Sequence, residues 1–207
     1  LNNLSLKLKR SEIIAITGES GCGKSTILNI LGTLDKYEEG VLKIDSIDIK
    51  GLNDNKLSQI RNEKIGFVFQ SYHLLPEFTA IENVLMPAWI KNDNKSKERA
   101  EKIFKDLGLQ NRKDHYPNQL SGGEKARVAL IRAIINKPKV LLADEPTGSL
   151  DPETSWEIIH LLSKINTRKT TVIVATHNQG IVDDVRKRVV ELGEGKVIRD
   201  QYLGKYE

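Results

Sequence analysis

Cysteine and long apolar runs are nearly absent from this sequence. Its 207 residues include a single cysteine, Cys22, which excludes a disulfide framework and favours a reducing compartment. No apolar run approaches the roughly 18 residues that a membrane-spanning helix needs, and no signal-peptide pattern is visible. Within this sequence, two classes are therefore excluded: the disulfide-stapled secreted domain and the helical membrane span.

Charge of one sign is only slightly in excess. Lys and Arg number 32 against 28 Asp and Glu, which gives a net charge of +4 and an isoelectric point near 9.0. Solvated surface lysines explain such an excess as well as an anionic partner does, so no nucleic-acid partner is expected. The length, with 39% hydrophobic residues, is enough for one domain with a substantial core.

A glycine-rich stretch organises the rest of the chain. It follows the apolar run 13–17 and precedes the helix-like run 27–31. Strand, G-x-x-x-x-G-K-S and helix, in that order, are the context of a phosphate-binding loop. Glycines let backbone N–H groups converge on phosphates, and the start of the helix adds partial positive charge. The residues of this predicted phosphate-binding loop are Gly18, Glu19, Ser20, Gly21, Cys22, Gly23, Lys24, Ser25 and Thr26.

Three side chains of the loop have separate chemistry. Lys24 supplies a mobile positive charge to the β- and γ-phosphates, and the Ser25 hydroxyl can ligate Mg²⁺. Cys22 is either a reactive thiol or a small residue that fills a tight loop, and we favour the second. The alternative for the whole stretch is a glycine-rich turn that binds nothing, which the flanking strand and helix argue against.

Strand-like and helix-like segments alternate along the chain except in its middle. The pattern predicts a single domain over 1–207, with a mainly parallel α/β core formed by 1–75 and 137–207, a β-rich edge near the N-terminus and a helical subdomain over 76–136. Predicted strands are 4–9, 12–17, 40–44, 47–49, 65–69, 140–143, 170–176, 188–192 and 196–199. Predicted helices are 24–33, 54–62, 95–107, one that follows Ser121, and 152–165.

Polar side chains follow the predicted strands at the points where the strands end. These are Gln70, the pair Asp144 and Glu145, and His177. Because the carboxyl ends of parallel strands meet at one edge of a sheet, we predict an active site there. Asp144 would hold Mg²⁺, largely through water, and Glu145 would polarise a water for attack on the γ-phosphate. An acidic turn before Pro146 is the alternative, weakened by the upstream phosphate loop.

Residues 120–124, Leu-Ser-Gly-Gly-Glu, allow two interpretations on sequence alone. Ser121 either caps the following helix or donates to a phosphate. The two glycines leave backbone N–H groups open to an anion at the same helix start. The residue types by themselves do not choose between the two.

Together these motifs resemble, in their order, those of an ATP-binding-cassette (ABC) ATPase. The resemblance covers nearly the whole chain and implies the P-loop NTPase fold of that family and Mg²⁺-dependent hydrolysis of ATP. It also implies a homodimer in which two ATP molecules lie between head-to-tail subunits. This chain has one copy of each motif and so looks like a half-unit that pairs with itself. The matching positions are 18–26, Gln70, 120–124, 141–146, 149–151 and His177.

The resemblance also implies roles for individual residues. Gln70 would contact Mg²⁺ and sense the attacking water, and His177 would hold the γ-phosphate and that water in line. Asp151 would lie in the loop that joins the two sites. The signature residues would cap the γ-phosphate held by the partner copy, and they are Ser121, Gly122, Gly123 and Glu124.

Two features depart from the family's pattern. Glu124 stands where many members have glutamine, although one branch also has glutamate. No aromatic residue precedes Ile13 to stack on adenine. The chain starts at Leu1 without a methionine and moves at once into the alternation 4–9, so we infer that a short N-terminal piece carrying this residue precedes it.

Different stretches resemble different branches of the family. Residues 31–35, 65–70, 72–76 and 78–84 look like the lipoprotein-release and macrolide-export ATPases. Residues 155–157, 175–178, 186–190 and 197–200 look more like the cell-division ATPase FtsE. Both resemblances imply an ATP-hydrolysing subunit that powers export, lipoprotein release or mechanotransmission through a permease at the cytoplasmic face of the cell membrane.

Two other functions remain open at this stage. A soluble ABC protein of DNA repair or translation would usually have a coiled-coil insertion or a second cassette, and this chain has neither. A regulatory ATP-binding module without turnover is weakened by the intact Glu145 and His177. The permease would dock in a groove beside Gln70, lined by residues that could equally be subdomain core: Tyr72, Leu74, Leu75 and Phe78.

Overall fold

The computed structural model describes residues 1–167, 169–178, 180, 182 and 187–202. Residue 186, the start of one stretch that resembles FtsE, lies outside them. Six strands form one sheet in the order β4-β5-β6-β1-β7-β8. All neighbours are parallel except β8, which pairs antiparallel with β7 at the edge. The strands are β1 (Ile13–Thr17), β4 (Ile65–Val68), β5 (Val140–Asp144), β6 (Thr171–Ala175), β7 (Arg188–Gly193) and β8 (Lys196–Tyr202).

The remaining regular structure of the described residues is mainly helical. Two short strands, β2 (Lys43–Ile44) and β3 (Ile47–Asp48), form a separate antiparallel pair. Two single 3₁₀ turns cover Gln110–Arg112 and Pro117–Gln119. The helices are α1 (Lys24–Leu31), α2 (Asp54–Lys64), α3 (Ala80–Ile90), α4 (Ser96–Asp106), α5 (Gly122–Ile134) and α6 (Pro152–Thr167).

The central strands are buried on both faces, as their continuous apolar sequences predict for a parallel sheet. All five residues of β1 and all five of β6 are buried. On one face, Ile14 and Ile16 pack with Leu28 of α1. On the other face, β5 and β6 pack against α5 and α6, where Ile158 and Leu162 are almost fully buried. The sheet is therefore covered by helices on both sides.

Helices α3, α4 and α5 have a buried cluster of their own. Its centre is Phe104 of α4, which is fully buried together with Val84 of α3 and Ile131 of α5. Leu74 packs against both this cluster and the one under the sheet. Helix α5 thus contributes to two hydrophobic clusters, which joins the three helices to the sheet.

The strand predicted over 4–9 is wrong. Leu4, Leu6 and Leu8 do pack against the sheet, so the alternation correctly identifies the buried side chains. The segment is not a strand, however. A ladder needs backbone partners, and here the Lys7 carbonyl accepts from the Arg188 guanidinium at 2.8 Å. An alternation of apolar and polar residues with a period of two indicates which side chains face the core. It does not indicate whether a neighbouring strand is present to pair with.

Other predicted elements are present with shifted ends. Strands 40–44 and 47–49 shorten at their outer ends to two residues each. Between them, Asp45 and Ser46 adopt positive φ angles of 49° and 70° and form a tight hairpin turn. Helix 24–33 stops at Leu31, and helix 152–165 continues to Thr167. Among the described residues, no helix is long and apolar enough to cross a bilayer.

A buried arginine joins the N-terminal segment to the edge of the sheet. The Arg188 side chain is 7% exposed, and its Nη2 donates to Asp200 at 2.6 Å. Its Nη1 lies 3.3 Å from Glu12, whose side chain is 10% exposed. Bonding to Arg188, though opposed by burial, lowers the pKa of Asp200. Residues before β1 are thus fixed to β7 and β8 by one guanidinium.

Replacing this arginine should destabilise the fold. Arg188→Leu leaves the buried Glu12 carboxylate unpaired, so we expect a loss of about 3 kcal/mol in the free energy of unfolding, measured in urea. Arg10→Leu is the matched control, since Arg10 pairs with Asp45 at 2.8 Å but is 83% exposed, and should cost under about 1 kcal/mol. Equal losses in the two variants would contradict this reading.

Candidate active site

The glycine-rich loop begins directly after β1. Gly18 has a φ of 134°, and a Cβ at this position would lie 2.3 Å from the Leu192 carbonyl oxygen. Gly23, with a φ of 107°, stands at the start of α1. Both conformations are ones that L-residues with side chains rarely adopt. The two glycines therefore allow the backbone to turn tightly between β1 and α1.

The N-terminus of α1 is open, as is that of α4, whereas three other helices have side-chain caps. Helices α2, α3 and α5 are capped by the side chains of Asn53, Thr79 and Ser121, each of which accepts a backbone N–H. No side chain caps α1. The first N–H groups of a helix have no partner within it and favour negative charge. The start of α1 is therefore suited to hold an anion such as phosphate.

Lys24 lies across the loop that precedes its helix. Its Nζ donates to the carbonyl oxygens of Gly18 at 2.7 Å and Glu19 at 2.8 Å. Cys22 is 9% exposed and belongs to the hydrophobic cluster on the α1 face of the sheet, which supports its interpretation as a packing residue. The other predicted loop side chains are exposed: Glu19, Ser20, Ser25 and Thr26.

The Ser25 hydroxyl and the Asp144 carboxylate meet at this edge. Asp144 is the last residue of β5, and an interaction with the Ser25 side chain favours its ionised form. Burial raises the pKa of Asp144, and the charge of Glu145 adds to this, whereas Ser25 and Lys24 oppose it. Adjacent hydroxyl and carboxylate oxygens are ligands that Mg²⁺ accepts, and it usually takes few protein ligands besides substrate phosphates. The residues present therefore fit that ion.

Glu145 has a strained backbone and a fully engaged carboxylate. Its φ is 45°, rare for a residue with a side chain. Oε1 accepts from the His177 backbone N–H at 3.0 Å and lies 2.7 Å from His177 Nδ1, while Oε2 accepts from the Thr176 hydroxyl at 3.2 Å. The side chain is 12% exposed. Glu145 is thus held in one orientation at the ends of β5 and β6.

The contact with Glu145 also orients His177. An ionised carboxylate only accepts hydrogen bonds, so Nδ1 carries the proton and Nε2 is left for another partner. The His177 side chain is 68% exposed, so this second nitrogen is accessible to solvent. An imidazole with one nitrogen fixed and the other accessible is suited to bind an anion or a water next to Glu145.

Gln70 lies at the same edge, after β4. It is exposed, and its Nε2 lies 3.2 Å from the position that a Cβ on Gly148 would take. A cavity of about 290 Å³, which the sequence does not predict, adjoins it and is lined in part by Glu145, Gly148 and His177. The predicted strand-end positions therefore do lie near one another, around the turn after β5.

Comparison with known proteins agrees with this arrangement. Residues 1–148 match the family model described as "ABC transporter". The lipoprotein-releasing system ATP-binding protein LolD of Cytophaga hutchinsonii is 44% identical over 201 residues, which cover 96% of this chain and 91% of that protein. The chain belongs to the ABC transporter family. The predicted family and its ATPase class are confirmed.

Two other ABC relatives are longer proteins. The macrolide export ATP-binding/permease protein MacB of Shewanella is 43% identical over 97% of this chain. The probable syringafactin export ATP-binding/permease protein SyfD of Pseudomonas syringae is 41% identical over the same share. This chain spans 31% of each of them. It thus matches about a third of the exporters and nearly all of LolD.

The fold matches solved ABC cassettes as well. The cassette MJ0796, described as a dimer in a post-hydrolysis state bound to ADP and Pi, has a TM-score of 0.89 and 42% sequence identity. The match covers all of this chain and 91% of that one. A second dimeric structure of MJ0796 gives a TM-score of 0.90. The predicted ABC ATPase fold is confirmed.

The predicted signature segment lies at the start of α5. Ser121 Oγ accepts from the Glu124 N–H at 3.2 Å, and the Glu124 carboxylate accepts from the Ser121 N–H at 2.8 Å. The capping interpretation of Ser121 is therefore confirmed, and its hydroxyl proton remains able to donate to a phosphate. A Cβ on Gly123 would lie 2.6 Å from the Thr154 methyl group, and one on Gly122 would lie 3.3 Å from Leu150. The predicted signature segment therefore packs against the first turn of α6 and the loop before it.

Asp151 belongs to that same loop. Its carboxylate accepts from the Thr154 N–H at 2.9 Å, which caps the start of α6 and lowers the pKa of Asp151. The turn bearing Glu145 and Gly148 runs directly into this segment. One short loop therefore links the turn that bears Glu145 to the predicted signature segment.

Two residues of the site were missed by sequence reasoning. Thr176, fully buried, orients Glu145 and accepts from the Asn178 N–H at 3.0 Å. A polar residue at the end of an apolar strand, just before the predicted His177, was a usable signal for it.

Arg112 pairs with Glu124 at 2.8 Å. Burial acts to raise the pKa of Glu124, but bonds from Ser121 and Arg112 lower it overall. No spacing in the sequence points to Arg112.

Lys24 should contribute strongly to nucleotide affinity. Lys24→Ala removes a charged donor from the loop, and a charge-assisted hydrogen bond is worth roughly 1.5–3 kcal/mol, so the Kd for ATP should rise by about 10- to 150-fold. Isothermal titration calorimetry measures it directly. Lys97→Ala, on the exposed side of α4, is the control and should bind like wild type. An unchanged affinity for ATP in Lys24→Ala would contradict the assignment of this loop to the nucleotide site.

Proposed function

We propose that this chain is the ATP-binding and ATP-hydrolysing subunit of an ABC-type membrane complex. The observation that carries the proposal is the fixed Glu145–His177 pair, at 2.7 Å, at the same sheet edge as the open N-terminus of α1. A carboxylate held beside an anion site can activate a water against a bound phosphate. Membership of the ABC transporter family and the LolD relatives support the same conclusion.

The phosphates would lie against the loop of residues 18–26. Lys24 would exchange its two carbonyl partners for phosphate oxygens, since both are weaker acceptors than an anion. Ser25 and Asp144 would hold Mg²⁺, with Gln70 as a further contact. The ion would neutralise charge that develops on the phosphates during hydrolysis. In this proposal the loop of residues 18–26 binds the phosphates, and the end of β5 helps to bind the metal ion.

Hydrolysis would use the residues after β5 and β6. Glu145 would take a proton from the attacking water, and the bonds from Thr176 and His177 keep its carboxylate aimed for that step. The accessible His177 Nε2 would hold the γ-phosphate and the water in line. Gln70 would contact the same water, so that attack depends on the position of the loop after β4.

A complete site would need a second copy of this chain. Each motif occurs once, and a cassette of 42% identity is described as a dimer. The segment Ser121–Glu124 would then cap the γ-phosphate bound to the loop of the partner copy, with Asp151 in the loop between the two sites. Each chain would consist of two parts. Residues 1–75 and 137–207 would form the α/β core, and residues 76–136 would form the helical subdomain.

A permease would dock on the helical side, at the cytoplasmic face of the membrane. Exposed apolar side chains there include Leu75, at 40%, Trp89, at 47%, and Ile90, at 71%. Tyr72 is only 8% exposed and belongs to the cluster under the sheet, so it does not line a groove. The names of the LolD and MacB relatives favour lipoprotein release or export over an FtsE-like regulator or a soluble ABC protein.

Replacing the base should stop turnover without stopping binding. Glu145→Gln keeps the shape and one acceptor of the side chain but removes its basicity, so phosphate release should fall about 100-fold or more while the Kd for ATP stays similar. A coupled phosphate assay and calorimetry measure the two. Glu98→Gln, exposed on α4, is the control. Phosphate release at the wild-type rate from Glu145→Gln would contradict the assignment of Glu145 as the general base.

Mixing two inactive variants tests whether the site is shared. Ser121→Arg should prevent residues 121–124 from contacting the γ-phosphate bound to the other copy. Lys24→Ala should weaken phosphate binding by the loop of residues 18–26. A one-to-one mixture would form heterodimers with one intact site, restoring up to about a quarter of the wild-type turnover if the sites act independently. Turnover in the mixture no higher than in either variant alone would argue against sharing between copies.

A further inference from the structure

The loop between β4 and α3 has two consecutive residues in a strained conformation. Tyr72 has a φ of 60° and His73 a φ of 45°. The left-handed region crowds the Cβ against the backbone, and it is unusual for two bulky residues in a row. Gln70 lies only two residues before Tyr72, so this double turn sets the direction in which the chain leaves Gln70.

One arginine holds both strained residues from outside the loop. Arg132 Nη2 donates to the Tyr72 carbonyl at 2.6 Å, and Nη1 donates to the His73 carbonyl at 2.6 Å. A planar guanidinium offers two donors in a fixed fork, which matches two neighbouring carbonyl oxygens. The His73 ring also stacks on Phe69, with centroids 4.7 Å apart. None of the ion pairs among the described residues includes Arg132, so its carbonyl contacts are its main polar partners there.

Arg132 belongs to the helix that begins at the signature. Helix α5 starts directly after Ser121, and Arg132 lies eleven residues further on, about 16 Å along the helix axis. The helix is packed on two sides, against α3 and against β4. A displacement of the Ser121 end would therefore reach the Tyr72 and His73 carbonyls through a rigid element rather than through a flexible loop.

The second half of the same loop is also held by a polar side chain. Asn83 of α3 accepts from the Leu75 N–H at 2.7 Å and donates to the Leu75 and Phe78 carbonyls at 3.0 and 2.9 Å. The loop is thus anchored along its length to α3 and α5. Its start, at Gln70, lies instead beside Gly148 in the turn after β5. Among the described residues, Tyr72 packs in the cluster that α5 shares with the sheet, and Arg132 adds the polar link from α5 to the strained part.

We propose that Arg132 is a positioning residue that links the signature segment to Gln70 by holding the Tyr72 and His73 carbonyls. The proposal rests on the proposed function, in which Ser121 contacts nucleotide on a second copy and Gln70 contacts the attacking water. Contact at Ser121 moves or fixes α5, the guanidinium follows, and the strained turn places the Gln70 amide at the site. Arg132 itself touches no reacting atom.

The test compares two arginines that donate hydrogen bonds to the carbonyls of residues with a left-handed backbone conformation. Arg132→Lys keeps the charge but cannot span two carbonyls, so kcat for ATP hydrolysis should fall about tenfold with KM for ATP within twofold of wild type. The matched control is Arg61→Lys, because Arg61 of α2 donates to the carbonyl of Thr33, whose φ is 57°, at 2.9 Å. That variant should keep kcat. Thermal midpoints of the two variants should agree.

A double-mutant cycle separates positioning from simple structural support. If Arg132 acts through Gln70, then Arg132→Lys should lower kcat no further in a Gln70→Ala background, because residues that act as one unit are not additive. Additive losses, equal kcat in Arg132→Lys and Arg61→Lys, or an unfolded Arg132→Lys would each overturn the proposal. Absence of turnover in the wild-type protein would instead overturn the proposed function.

Discussion

The rest of the site depends on the open N-terminus of α1. A short turn with left-handed glycines places this helix start at the carboxyl end of β1, the strand in the middle of the parallel sheet. The parallel arrangement then puts the ends of β4, β5 and β6 at the same edge. In the proposed function, the polar groups Ser25, Asp144 and Glu145 all act on an anion held at this helix start.

Some of the strained backbone lies around this edge. Glu145, Tyr72 and His73 all have positive φ angles, and each is held by hydrogen bonds from other elements. Glu145 is tied to the end of β6, and the two loop residues are tied to α5. Strain of this kind persists only where the surroundings enforce it, and it is typical of functional sites. The energy of the fold thus maintains the geometry of the catalytic turn and of the loop after Gln70.

Features with a local cause could be predicted from the sequence. The phosphate loop needs glycine at fixed offsets, and the polar residues at strand ends follow from the alternation of strands and helices. The positions of Lys24, Asp144 and His177 at one edge of the sheet could therefore be predicted. Features that depend on distant partners could not. Residues 4–9 alternate like a strand, yet their ladder is absent because Arg188 takes the Lys7 carbonyl across 181 positions. The contacts of Arg132 with Tyr72, 60 residues away, leave no pattern either.

The central claim is that one chain provides half of each ATP site and that bound ATP joins two copies. Light scattering of the Glu145→Gln protein tests it most directly, because ATP remains bound while hydrolysis is blocked. The account predicts a mass near twice 23.3 kDa with ATP and Mg²⁺, and near 23.3 kDa without nucleotide. A single-chain mass under both conditions, with ATP shown to be bound, would contradict it.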